Sequence, residues 1–155
     1  MRDILFRGKD KDDGKWYEGA YRAYDDTTYC FKEDYDSHPE NTHHTIVFSR
    51  MTDWGLPNRH LQAEVIPETV GQYVGLKDKN GKRIFEDDIV RVKGESDDYR
   101  GVDYCALIVF WNGGFCAIDG TKENHAFRRY CLATCDYSLE VIGNIHDNPE
   151  LLEQE

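Results

Sequence analysis

Residues Gly71 to Gly94 read GQYVGLKDKNGKRIFEDDIVRVKG, and the reading of this stretch decides the fold class. Tyr73–Leu76 and Lys82–Phe85 form two arms, separated by Asp78-Lys79-Asn80-Gly81. Asparagine and glycine both tolerate positive φ, which tight hairpin turns require. Two geometries fit. Asn80-Gly81 forms a type I′ loop, or Asp78 opens a type I turn that Gly81 closes in a G1 bulge. Either predicts an antiparallel hairpin. DIVRVK follows as a further strand. The stretch carries no obvious catalytic group, and it lacks the Gly-Lys-Ser/Thr ending of a phosphate-binding loop.

The same chemistry recurs on both sides. Downstream, YCALIVFW (Tyr104–Trp111) is a nearly continuous apolar run, expected to be a strand buried on both faces. Asn112–Gly114 supplies a second hairpin turn, FCAID the return arm, and LEVIGNI (Leu139–Ile145) a last strand. Ile89, Val90, Val92, Leu107, Val109, Phe110, Val141 and Ile145 are the expected core. The tail DNPELLEQE predicts a short helix capped by Asp147 or Asn148, with Pro149 in its first turn. Arg128–Cys135 reads equally as strand or helical turn. Upstream, MRDILFRGKDKDDGKWYEGAYRAY reads as a hairpin, TTYCFKEDY as a strand and HHTIVF (His43–Phe48) as another. Ser37–Thr42 and Thr52–Asn58 read as loops. Pro67 is the expected boundary between two small β subdomains, 1–67 and 68–155, because proline interrupts a central strand.

Composition narrows the function. The chain has 155 residues, 39% hydrophobic and 13% aromatic, as expected for one globular domain or two small subdomains. Lysine and arginine number 19 against 30 aspartates and glutamates, a formal charge of −11. Such a chain is a poor ligand for a phosphate backbone or an anionic membrane, whereas a basic protein would be attracted. The N-terminus shows no apolar signal segment, and no apolar run approaches a membrane span. Cys30, Cys105, Cys116, Cys131 and Cys135 are accordingly expected as reduced thiols.

No catalytic constellation emerges. Cys131, Cys135 and His125 lack the second ligand pair a structural zinc site wants, and the adjacent His43 and His44 face opposite sides of a strand. Cys105 and Cys116 lie in predicted core strands, where a thiol is inert. No cofactor, metal or catalytic residue is assigned. Two surfaces remain. The acidic pairs Asp25-Asp26, Asp87-Asp88 and Asp97-Asp98 fall at predicted turns or strand starts and are expected to be exposed, forming an acidic surface for a basic partner. Trp16, Tyr17 and Tyr21, with Tyr29 and Phe31, form an aromatic cluster that either packs a sheet face or joins copies in a homo-oligomer.

Three blocks carry a family resemblance: MRDILFRGKD at the N-terminus, QYVGLKDKNGKRIFEDDIV in the centre and EVIGNIHDNPELL near the C-terminus. Together they resemble the YopX family of phage and prophage proteins. The family usually has glycine where Asp87 stands, which suggests a positive-φ turn there. The resemblance implies a small, mostly antiparallel β protein with an SH3-like barrel in the C-terminal half, acting in the bacterial cytoplasm. It implies no enzymatic activity. The expected role is a non-enzymatic protein-interaction module; the alternatives are a nucleic-acid-associated SH3-like module, by fold analogy, and a hydrolase.

Overall fold

The computed structural model describes residues 3–51, 59–94, 101–119, 129–132 and 137–152. The elements in chain order are β1 (Phe6–Lys9), β2 (Trp16–Asp25), α1 (Lys32–Ser37), β3 (Thr42–Arg50), β4 (Arg59–Glu64), β5 (Gly71–Lys77), β6 (Arg83–Phe85), β7 (Asp88–Gly94), β8 (Asp103–Trp111), β9 (Gly114–Asp119), β10 (Arg129–Cys131) and β11 (Tyr137–Asn144). Every ladder is antiparallel, so the mostly β architecture read from the sequence holds. The chain divides into two compact units between Gln72 and Tyr73, inside β5. Pro67 lies between β4 and β5 and opens a single 3-10 turn, Pro67–Thr69.

In the first unit the order is β4-β3-β2-β1, with Gly71 and Gln72 beside β1. The long β2 serves two partners: Trp16–Gly19 pair with β1 and Ala20–Asp25 with β3. Gly19 sits at the changeover, and a Cβ there would lie 2.1 Å from the Val47 carbonyl oxygen. Only glycine permits that approach. Past β4 the chain returns to the end of β1: Asp10 bridges Val65, Lys11 N–H donates to Glu64 O, and Ile66 N–H donates to Lys9 O. Ile46, Ala63 and Val65 form the buried core, against which Phe6, Tyr17, Tyr21, Phe48 and Val70 pack.

In the second unit, β5 and β6 make the expected hairpin. Gly81 N–H donates to Asp78 O and Asp78 N–H to Lys82 O, with Gly81 at φ +83. This is the second of the two predicted geometries, a type I turn closed by a glycine bulge. Asn112 (φ 46) and Gly113 (φ 85) join β8 to β9 in a type I′ pattern, with Trp111 opposite Gly114. The sheet order is β10-β9-β8-β7-β11. Among the described residues no ladder joins β10 to β11, and no closed barrel of the SH3 kind forms. Pro149–Leu152 is a short 3-10 turn, as the tail predicts.

Three expectations need correction. TTYCFKEDY is not a strand: Lys32–Ser37 is helical. The segment KEDYDS suits a helix start, with Glu33 and Asp34 at the positive end of its dipole, and it lacks the alternation a strand needs. The run YCALIVFW is not buried on both faces. Ala106 and Ile108 are fully buried, Leu107 and Val109 half-buried, and Phe110 is 56% exposed. One face of β8 packs into the core with Ile84, Val90, Val92, Ala117, Leu132 and Leu139, which selects even-numbered positions. Val141 and Ile145 are likewise only half-buried. Arg129–Cys131 is strand, while the Thr52–Asn58 loop and Cys135 lie outside the described residues. Cys30, Cys105 and Cys116 are free thiols.

Candidate interaction surface

The DKNG hairpin is tied into the sheet. Asp78 is buried, at 7% exposure. Its Oδ1 accepts the N–H groups of Asn80 and Lys82, each at 2.8 Å, and its Oδ2 accepts the Val141 N–H at 3.1 Å. Lys79 adds a backbone bond from its N–H to Leu139 O and an ion pair with Glu140 at 2.6 Å. Without these contacts β11 would present an edge at Leu139–Val141; the loop satisfies it. Burial pushes the Asp78 carboxyl up, but the N–H groups of Lys82, Val141 and Asn80, with the Lys82 charge, outweigh it and hold the carboxyl below the usual range. The central stretch forms the hairpin its sequence predicts.

The acids singled out in the sequence separate into different roles. Asp88 is not on the surface: it is 1% exposed, and its Oδ2 accepts the Phe85 N–H at 2.8 Å, closing the turn between β6 and β7. Its residue type fits a strand start and a turn cap equally, which is why sequence alone misplaces it. Asp87 is half-buried, occupies the positive-φ position at φ 63, and holds His146 Nε2 at 3.1 Å. Its N–H donates to Ile108 O, and its carbonyl accepts the Ile145 N–H. Asp97 and Asp98 lie outside the described residues. Asp25 and Asp26 are exposed, as expected.

The aromatic residues expected at a self-association face are engaged within their own unit. Tyr17 stacks on Phe48 with centroids 4.8 Å apart, and its hydroxyl donates to Asp13. Lys15, which bonds the same carboxylate through its ammonium and its N–H, is the main cause holding the Asp13 carboxyl at about 2. Tyr21 packs on Phe6, and its hydroxyl lies 2.6 Å from His44 Nδ1; burial raises its pKa. Arg7 lies over the Trp16 ring at 4.9 Å.

Sequence reasoning missed the arm that runs from the end of β2 to the start of β3. Asp25, Asp26, Glu33, Asp34, Asp36 and Glu40 all lie there, against one lysine, Lys32, and all six carboxylates are exposed. Phe31 is 68% exposed, and no residue of α1 is buried. The arm is nonetheless ordered by contacts of its own. Tyr29 N–H donates to the Tyr35 hydroxyl, Asn41 Nδ2 donates to the Tyr29 hydroxyl, and Tyr29 packs edge-on to Tyr35 and flat on His38. At its root, Asp26 N–H donates to Asn41 O, Thr42 Oγ1 donates to Asp25, and Asp26 Oδ2 sits 2.9 Å from His43 Nε2. The density of acids between Asp25 and Glu40 was the available signal; reading TTYCFKEDY as a strand concealed it.

Among the described residues no group of three or more histidine, cysteine or carboxylate side chains could hold a metal ion, and no helix is long and apolar enough to cross a membrane.

Fold and surface define a two-unit, antiparallel β protein with an ordered acidic arm. The family model described as YopX protein matches residues 5–153, and the chain belongs to that family. Among solved structures it is similar to protein EF1440 from Enterococcus faecalis, with 23% identity, 99% of this chain and 100% of that chain covered, and a TM-score of 0.48. No curated protein matches the chain.

Proposed function

We propose that this phage-type protein is a non-enzymatic interaction module of the bacterial cytoplasm that engages a basic partner protein through the arm at residues 25–41. The observation that carries this reading is the combination in one ordered segment of six exposed carboxylates and an exposed Phe31. The arm adds no residue to the core clusters of either unit; its order comes from its own hydrogen bonds and ring contacts. Carboxylates around an apolar anchor suit a cationic surface with an apolar cleft: the charges steer encounter, and the anchor supplies contact area. The same acidity repels a phosphate backbone, which favours a protein partner over the nucleic-acid role that an SH3-like barrel would suggest.

The test is comparative capture from a bacterial lysate with the wild-type chain, a variant with the six arm carboxylates replaced by their amides, and Asp87→Asn as a control. The reading expects a basic protein retained by wild type and control, lost by the arm variant, and released as salt rises. Identical retention by all three proteins would refute it.

A further inference from the structure

His43 stands at the root of the arm with a carboxylate at each ring nitrogen. Nε2 is 2.9 Å from Asp26 Oδ2, in the arm, and Nδ1 is 2.9 Å from Glu64 Oε1, at the end of β4. Lys11, from the β1–β2 turn, reaches the same Glu64 oxygen at 2.6 Å. On the neighbouring strand, Tyr24 stacks on the imidazole with centroids 5.2 Å apart, and Arg22 lies over the Tyr24 ring. Asp25, the cross-strand partner of Thr42, spends Oδ1 on that residue's hydroxyl. The remaining histidine of the pair, His44, bonds Tyr21 instead.

An ionised carboxylate only accepts hydrogen bonds. Both ring nitrogens of His43 must therefore carry protons to satisfy both neighbours, and only the imidazolium does so. A neutral ring in either tautomer turns one lone pair toward a carboxylate and loses that link. We propose that protonated His43 is a latch that fastens the root of the acidic arm to the end of β4, and that the latch opens as pH rises.

Supporting charges agree in direction. The hydrogen bond to Asp26, and then that to Glu64, raises the His43 pKa above its ordinary value. Lys11, and then His43, lowers that of Glu64, keeping it an acceptor. For a histidine raised in the folded state, the contribution is fully present below the unfolded value, about 6.5. It is lost as pH climbs through the higher folded value. The latch thus holds below about pH 6.5 and releases as pH rises through the raised folded value. It is a property of the chain alone, so it stands or falls independently of any partner.

The test is NMR of the full chain without partner, following the His43 ring and the Asp26 and Asn41 amides from pH 5 to 9. Loss of one ring signal in His43→Gln assigns it. The expected result is a His43 midpoint above about 6.5, with both amides moving at that same midpoint. In Asp26→Asn and in Glu64→Gln, each of which removes a negative charge with little change of shape, the midpoint should fall. In His43→Gln the two amides should not move over that window. A wild-type midpoint at or below the free-histidine value would overturn the latch, and so would arm amides that ignore His43 titration.

Discussion

Replacing Asp78 tests whether the DKNG hairpin seals the edge of β11. In Asp78→Ala the N–H groups of Asn80, Lys82 and Val141 lose their shared acceptor. A hydrogen bond to a charged group contributes about 1.5–3 kcal/mol net, and a stranded buried donor costs about 1–3 kcal/mol. Asn80 and Lys82 are exposed and regain water, whereas Val141 is half-buried. The Val141 bond and the shared turn bonds then set the loss at about 2–4 kcal/mol. Asp78→Asn keeps one acceptor oxygen but turns an amide donor toward one of these N–H groups, so its loss should be smaller, about 1–2 kcal/mol. The assay is urea unfolding at neutral pH, read as a shift in midpoint at constant slope, with hydrogen exchange at Lys79 and Val141. The pH dependence has a definite sign. Because the folded carboxyl is held below its usual value, its contribution is present above about pH 3.9 and fades as pH falls through the folded pKa. The gap between wild type and Asp78→Asn should therefore narrow in acid. An Asp78→Ala protein within about 0.5 kcal/mol of wild type, inside the range of neutral surface changes, would refute the reasoning.

Three further outcomes follow from the backbone and the core. Gly81→Val should cost more than about 1 kcal/mol, because a β-branched residue resists the φ of +83 found there; thermal or urea unfolding reads it. Gly19→Ala should cost about 3 kcal/mol by overpacking, since its Cβ would collide with the Val47 carbonyl; a soluble protein of unchanged stability would contradict the β2–β3 approach. Ile108→Ala should cost about 2–5 kcal/mol and the half-exposed Leu107→Ala clearly less, and equal losses in urea unfolding would contradict the parity of β8.

The turns were legible because their chemistry is local. Asn80-Gly81 and Asn112-Gly113 are each decided by one or two residues whose backbone freedom is unusual, whereas the positive φ at Asp87 was suggested only by the family resemblance. What was not legible depended on distant partners. Nothing near Asp78 in sequence announces that Val141 will donate to it, 63 positions away. The apolar run of β8 offers both parities equally, and the core selects Ile108 over Leu107 only once β7 and β9 are in place. Asp88 looks like a surface acid because a turn cap and a solvated rim use the same residue type. The arm was misread because Tyr29, Phe31 and Tyr35 suggest a strand, whereas Tyr29 and Tyr35 pack on each other. His43 was weighed only as a metal ligand; the two carboxylates that flank it come from segments that its own strand does not reveal.

The central claim is that the arm, and not the central hairpin, meets a partner. Photo-crosslinking in bacterial cells tests it most directly, with a photoreactive residue placed singly at Phe31, at Lys82 on the hairpin, or at Trp111 beside the exposed Phe110. The account predicts a discrete crosslink to a basic protein from position 31, weakened when the arm carboxylates are neutralised, and none from position 82. Crosslinks from position 82 or 111 with none from 31 would contradict it.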